Sequence, residues 1–232
     1  MNNNAVTNVN KGPSFLTSLW VSSGIAISMV IARLIVRVRF LRYHGPDDYF
    51  IAASLVVGVV GVCLDTVSVR HGLGRHEAFL TLDQIVQATK YNFIAIPFNL
   101  MSSALAKCSV CFFLIHVNQS KLAGRLLLAA SILLVVFSTV TIAVLFGQCT
   151  PPQALWNPEV RATGNCINPS INAGVGLAQA AFFVVADLCF AFFPLTFLWT
   201  LQMNRRTKFA LAVVLSLGVM QVPLSPVAVT SR

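Results

Sequence analysis

Charge is what this chain lacks. Only 10% of its 232 residues are charged, and seven acidic side chains face sixteen lysines and arginines. A soluble domain carries about 25% charged and roughly 45–50% apolar residues, whereas this chain is 56% hydrophobic. A single domain of this length keeps many side chains on its surface, and too few polar ones exist here to cover it. The shortage excludes a soluble enzyme, a nucleic-acid-binding domain and a disordered chain. Also absent are a phosphate-cradling glycine loop, a nucleophile elbow and the helical histidine spacing of zinc proteases. No Ser/His or Asp/Asp constellation lies within the apolar runs, so neither enzyme activity nor a cofactor is expected. The nearest approach to a ligand cluster is His71, His76 and Glu77, which lack a fixed helical spacing. Gly72 and Gly74 between them read as a tight turn, and no metal is expected. Cysteine is sparse too: four of six lie in apolar runs, which is no disulfide scaffold.

What the chain has is long apolar runs. A spanning helix needs about 20 such residues, each rising ~1.5 Å across a ~30 Å hydrocarbon core. Five runs qualify, at residues 15–36, 49–69, 93–117, 122–146 and 173–201. A sixth, 209–229, is broken in its last third by Pro223 and Pro226, which remove backbone donors. The expected fold is therefore an all-α, polytopic transmembrane helix bundle with six spans.

Orientation follows from the basic residues, whose net charge of +9 sits in short clusters between runs. Arg37, Arg39, Arg42, Lys121, Arg125, Arg205, Arg206 and Lys208 fall on one face. Lys11, Arg70, Arg75, Lys90, Arg161 and Arg232 fall on the other. The first set touches membrane ends, so it belongs in the cytoplasm and the N-terminus outside. Residues 1–14 then form an extracellular tail, and the first span is an uncleaved signal-anchor. The sequon Asn118-Gln119-Ser120 falls inside, where it receives no sugar.

The connection between the fourth and fifth runs holds Cys149 and Cys166, with Pro151, Pro152, Trp156 and Pro158 between them. This topology puts it outside, where thiols oxidise, and a Cys149–Cys166 disulfide is expected. Trp156 is amphipathic enough to rest at the headgroup level.

Ionisable groups at bilayer depth cost about 2.5–3.5 kcal/mol or more, so each needs a partner or a purpose. Arg33, within a turn of the inner end of its run, is expected to snorkel to the headgroups. Asp65, a turn from the outer end, is expected to reach water or Arg70. Lys107 and Asp187 lie deeper, about 15 Å and about 21 Å from the inner ends of their runs. With tilt and the reach of lysine these depths are compatible, and the two are expected to face the bundle interior and pair. Such a pair either fixes helix packing or serves as a ligand counter-ion or proton relay. Pro97 and Pro194 are expected to kink their helices, and Pro194 follows Asp187 by about two turns on nearly the same face.

Several motifs then fall into one pattern. Arg33 and Arg37 combine with Gly45-Pro46-Asp47-Asp48-Tyr49, followed by Gly72-Leu73-Gly74-Arg75-His76. Lys107-Cys108-Ser109 comes next, then Cys149-Thr150-Pro151, Trp156 and Cys166. Asp187, Pro194, Leu198-Trp199 and Lys208 complete it. In order and spacing the chain resembles the fungal rhodopsin-domain integral membrane proteins, which include the Pth-type receptor-like group. The resemblance implies a seven-helix, receptor-like architecture over residues 15–221. Residues 222–232 form an atypical tail, as though the chain were cut after helix six. No retinal is expected despite the family name, because the Schiff-base lysine of opsins sits on the seventh helix, the one missing from this reading of the chain.

Three functional readings follow. The first is a receptor-like sensor at the plasma membrane. A small molecule would enter from outside, and a cytoplasmic signalling partner would contact Arg205, Arg206 and Lys208. The second is a small-solute or ion transporter using Lys107 and Asp187. The third is an accessory membrane protein of a secondary-metabolite pathway. In each the lipid bilayer is the constant partner and nucleic acid is none.

Overall fold

The computed structural model describes residues 12–41, 45–75, 79–117, 121–167 and 169–200. Five long helices dominate: α1 (Gly12–Val36), α2 (Pro46–Arg70), α3 (Leu82–Val117), α4 (Lys121–Gly147) and α6 (Pro169–Thr200). A π-helical turn, Arg37–Leu41, extends α1. Between α4 and α6 lie β1 (Cys149–Thr150), a 3₁₀ turn (Pro152–Leu155), the short α5 (Pro158–Thr163) and β2 (Asn165–Cys166). Among the described residues five segments are long and apolar enough to cross a membrane: Gly12–Arg39, Pro46–Arg70, Leu82–His116, Gly124–Gly147 and Ala173–Phe190. The protein is an all-α transmembrane helix bundle. The sixth expected span, residues 209–229, lies outside the described residues.

Helix α3 begins eleven residues before its apolar run. Its first turns are polar, and Thr81 and Gln84 cap them reciprocally: Gln84 N donates to Thr81 Oγ1 (3.4 Å) and Thr81 N to Gln84 Oε1 (3.2 Å). Hydropathy registers only the lipid-embedded part of such a helix. Pro97 lies inside α3, and Pro194 lies in the backbone span of α6.

Burial is inverted relative to a soluble protein. Val21, Ile25 and Ile35 of α1, Val56 and Val60 of α2, and Leu126, Leu133 and Val136 of α4 are exposed. Ser54, Asp65, Ser68, Lys107, Ser109, Ser138 and Gln179 are buried. Lipid accepts apolar side chains but offers polar ones no hydrogen bonds, so polar groups turn inward.

The described residues form two compact units. One takes those up to Ala106 together with Phe146–Cys166; the other takes Lys107–Leu145 and those from Ile167 onward. In the first, α2 meets α3 along Ser54, Gly58, Gly61, Asp65 and Ser68, spaced four-three-four-three so that they share one helix face. Ser54 Oγ donates to Ser102 O and Ser102 Oγ to Ser54 O, each at 2.9 Å. Ser68 Oγ donates to Ala88 O at 2.6 Å. A Cβ on Gly58 would stand 2.7 Å from Ser102 Oγ, and one on Gly61 would collide with Asn99 Oδ1. Small residues here let the backbones approach. In the second unit Cys111, Leu114, Leu127, Leu134 and Phe190 form the core, flanked by Phe182 and Phe183.

Candidate functional site

Lys107 of α3 and Asp187 of α6 meet inside the second unit. Lys107 Nζ lies 2.8 Å from Asp187 Oδ1 and donates to Oδ2 at 3.0 Å. It also stands 4.8 Å from the centroid of the Phe183 ring, a cation–π distance. Phe183 precedes Asp187 by one turn, so α6 presents carboxylate and ring on one face. Two turns before Asp187 on α6, Gln179 joins α6 to α4. Its Nε2 donates to Ser138 Oγ (3.3 Å), and its Oε1 accepts from Thr141 Oγ1 (2.8 Å). A polar line thus runs along one face of α6, with both ions paired and the amide satisfied.

A second cluster joins α1 to α2. Arg33 and Arg37 are four residues apart and share a face, and Asp47 and Asp48 occupy the first turn of α2. Arg37 Nη2 lies 2.7 Å from Asp47 Oδ2, and Nη1 donates to Asp48 Oδ2 at 3.1 Å; Arg33 Nη2 donates to Asp47 Oδ2 at 2.9 Å. Asp48 Oδ1 accepts no hydrogen bond and stands 4.0 Å from Arg33 Nε. Both carboxylates are buried, favoured there by the helix N-terminus and two guanidinium groups. Gly45 starts the helix, with Pro46 at its first position and Gly45 N donating to Asp48 Oδ2. Arg33 therefore finds its partners in an acid pair one connection away.

Asp65 also departs from expectation. It is buried, and it accepts from Asn99 Nδ2 at 2.9 Å instead of reaching water or Arg70. Position 99 lies beside it because Gly61 leaves room for the asparagine.

After α2 the chain turns on a Schellman motif, Leu73 N donating to Ser68 O and Gly72 N to Val69 O. Gly72 has φ +116° and Gly74 φ 93°. A Cβ on Gly72 would collide with Leu80. Arg75 follows on the surface, and His71 stacks on Tyr91 with centroids 5.7 Å apart. His76 and Glu77 lie outside the described residues.

In the connection after α4, Cys149 and Cys166 form a disulfide and face each other across the antiparallel pair β1–β2. Asn157 caps α5, its side chain accepting from Glu159 N at 3.0 Å. Trp156 closes the 3₁₀ turn of this loop. Its ring packs on Phe93 (6.2 Å), which meets Phe146 edge-on (5.6 Å).

The model of the fungal rhodopsin domain matches residues 32–231. The chain belongs to that family. The match takes in the Arg33/Arg37/Asp47/Asp48 cluster, the glycine turn, Lys107, the disulfide loop and Asp187. Searches of curated proteins and of solved structures find no significant match. Within this fungal rhodopsin domain the side chain of Pro194, with Arg205, Arg206 and Lys208, lies outside the described residues. Sequence reasoning missed the Ser54–Ser68 face and the Asp65–Asn99 bond. The four-three-four-three spacing of small and polar residues in the second span was the signal for both.

Proposed function

We propose that this integral membrane protein is a receptor-like sensor of a small charged molecule, with residues 15–221 as its sensing domain. The observation that carries the reading is the Lys107–Asp187 ion pair joining α3 to α6 beside Phe183. A charged pair in an apolar bundle is a two-state element. A ligand carboxylate competes for Lys107, or a ligand amine for Asp187, and either frees one helix from the other. A ligand shifts such an equilibrium only by its differential affinity for the two states, and a broken ion pair supplies that difference. The N-terminus faces outward at the plasma membrane in this reading. Arg205, Arg206 and Lys208 meet the signalling partner, which the basic character of that connection supports.

The test uses the full chain in vesicles with a heterotrimeric G protein, reading guanine-nucleotide exchange. Exchange rises with the protein present, changes on K107M, and falls on R205Q/R206Q at equal protein content. The same vesicles report solute flux. Flux without nucleotide exchange, lost on D187N, overturns the sensor in favour of a transporter.

A further inference from the structure

The other end of α3 and the start of α4 present a different arrangement. Phe112 and Ile115 of α3, with Lys121, Gly124, Arg125 and Leu128 of α4, line an open groove of about 420 Å³. Lys121 and Arg125 are one helical turn apart on the same face, and Leu128 continues that face deeper. Gly124 sits between them. A Cβ there would come no closer than 4.0 Å to Ile115 Cγ2, so the groove stays open where a larger side chain would fill it.

The charges at this site are unspent. Arg33 and Arg37 are neutralised by Asp47 and Asp48. Among the described residues no acid pairs with Lys121 or Arg125, and both side chains are exposed. Lys121 begins α4, and Arg125 lies about 6 Å further along the helix axis. Leu128, Ile115 and Phe112 supply an apolar wall. Two cations at a helix end followed by an apolar wall match the polarity profile of one molecule: an anionic headgroup with its acyl chain.

We propose that this groove is a binding site for one anionic glycerophospholipid. Lys121 and Arg125 hold its headgroup, and Phe112, Ile115 and Leu128 take the first part of an acyl chain. Charge complementarity selects the lipid. Each basic side chain near a membrane surface contributes about five-fold in affinity, so the pair gives about twenty-five-fold preference over a zwitterionic lipid.

The test is native mass spectrometry of the full chain, extracted from vesicles of phosphatidylcholine with a minor fraction of phosphatidic acid. The wild type retains phosphatidic acid about twenty-five-fold over its share, and K121Q/R125Q brings the ratio near one. G124F, which fills the groove and keeps both charges, lowers it several-fold; K121R/R125K preserves it. The intact Cys149–Cys166 disulfide verifies folding of every variant. Equal retention by K121Q/R125Q overturns the proposal. So does full retention by G124F, which makes the attraction a diffuse one to exposed charge. Displacement of the bound lipid by excess water-soluble glycerophosphate also overturns it, since the headgroup alone would then suffice.

Discussion

Arg37 Nη2 sits 2.7 Å from Asp47 Oδ2, the shortest of the charge contacts that tie α1 to the start of α2. Its side chain is 12% exposed, against 30% for Arg33, and it reaches both carboxylates at short range. Removing one partner of a buried pair strands the other charge, at about 3–5 kcal/mol. Arg37→Gln therefore destabilises by about 3 kcal/mol, and Arg33→Gln by about 1 kcal/mol, since solvent screens it. Thermal unfolding in detergent, read by loss of monodisperse protein, ranks the two. Equal losses would mean that the acids depend on both arginines alike.

The Lys107–Asp187 pair gives a different pattern. Asp187→Asn or Lys107→Met leaves an uncompensated charge among apolar neighbours and lowers stability by about 3 kcal/mol. The double change Lys107→Met/Asp187→Leu removes both charges and recovers most of that loss, because an apolar pair suits hydrocarbon. A double-mutant cycle on the same unfolding assay measures the coupling. Additive losses would show that each side chain acts alone.

Much of the fold is legible in the sequence because lipid imposes one rule on every span. Residues 49–69 and 122–146 announce themselves through apolar length, and the observed helices exceed each run by one to three residues at either end. What hydropathy does not register is what satisfies polar groups elsewhere. The first turns of α3 are capped and polar, and averaged hydropathy is blind to caps. Arg33 and Asp65 were read by distance to water, whereas their partners Asp47 and Asn99 come from a neighbouring helix. Depth along one helix is arithmetic. Which face meets which neighbour depends on packing, and only the spacing of Ser54, Gly58, Gly61, Asp65 and Ser68 hinted at it.

That face carries a sharp prediction. Asn99→Leu removes the donor to Asp65 and leaves a buried carboxylate without its hydrogen bond, at about 2–3 kcal/mol. Asp65→Asn keeps a side-chain acceptor for Asn99 Nδ2 and sheds the charge, so it costs under about 1 kcal/mol. The double variant Asn99→Leu/Asp65→Leu is milder than Asn99→Leu alone. The order of the three unfolding temperatures decides the matter, and a milder Asn99→Leu than Asp65→Asn would contradict it.

Gly72 is fixed by two independent constraints. Its φ of +116° is a conformation that residues with a Cβ rarely adopt, and a Cβ there would collide with Leu80. Gly72→Ala therefore costs about 2 kcal/mol and shortens the protected end of α2 in hydrogen exchange. Gly72→Ala with Leu80→Ala relieves the collision and leaves the strained φ, recovering about half. Complete recovery would assign the whole effect to Leu80.

The disulfide closes a loop whose ends are seventeen residues apart, and the chain-entropy model gives about 3 kcal/mol for such a closure. Cys149→Ser/Cys166→Ser should lose that amount. Trp156→Ala loses a further increment that the bond does not supply, because its ring packs on Phe93 outside the covalent loop. Reduction of the wild type reproduces the double-serine variant and leaves the Trp156→Ala increment unchanged. Maleimide labelling before and after reduction, with unfolding measured in parallel, reads both quantities. Should Trp156→Ala have no effect once the bond is cut, the aromatic contact depends on the disulfide to exist. The loop would then be held by one device rather than two.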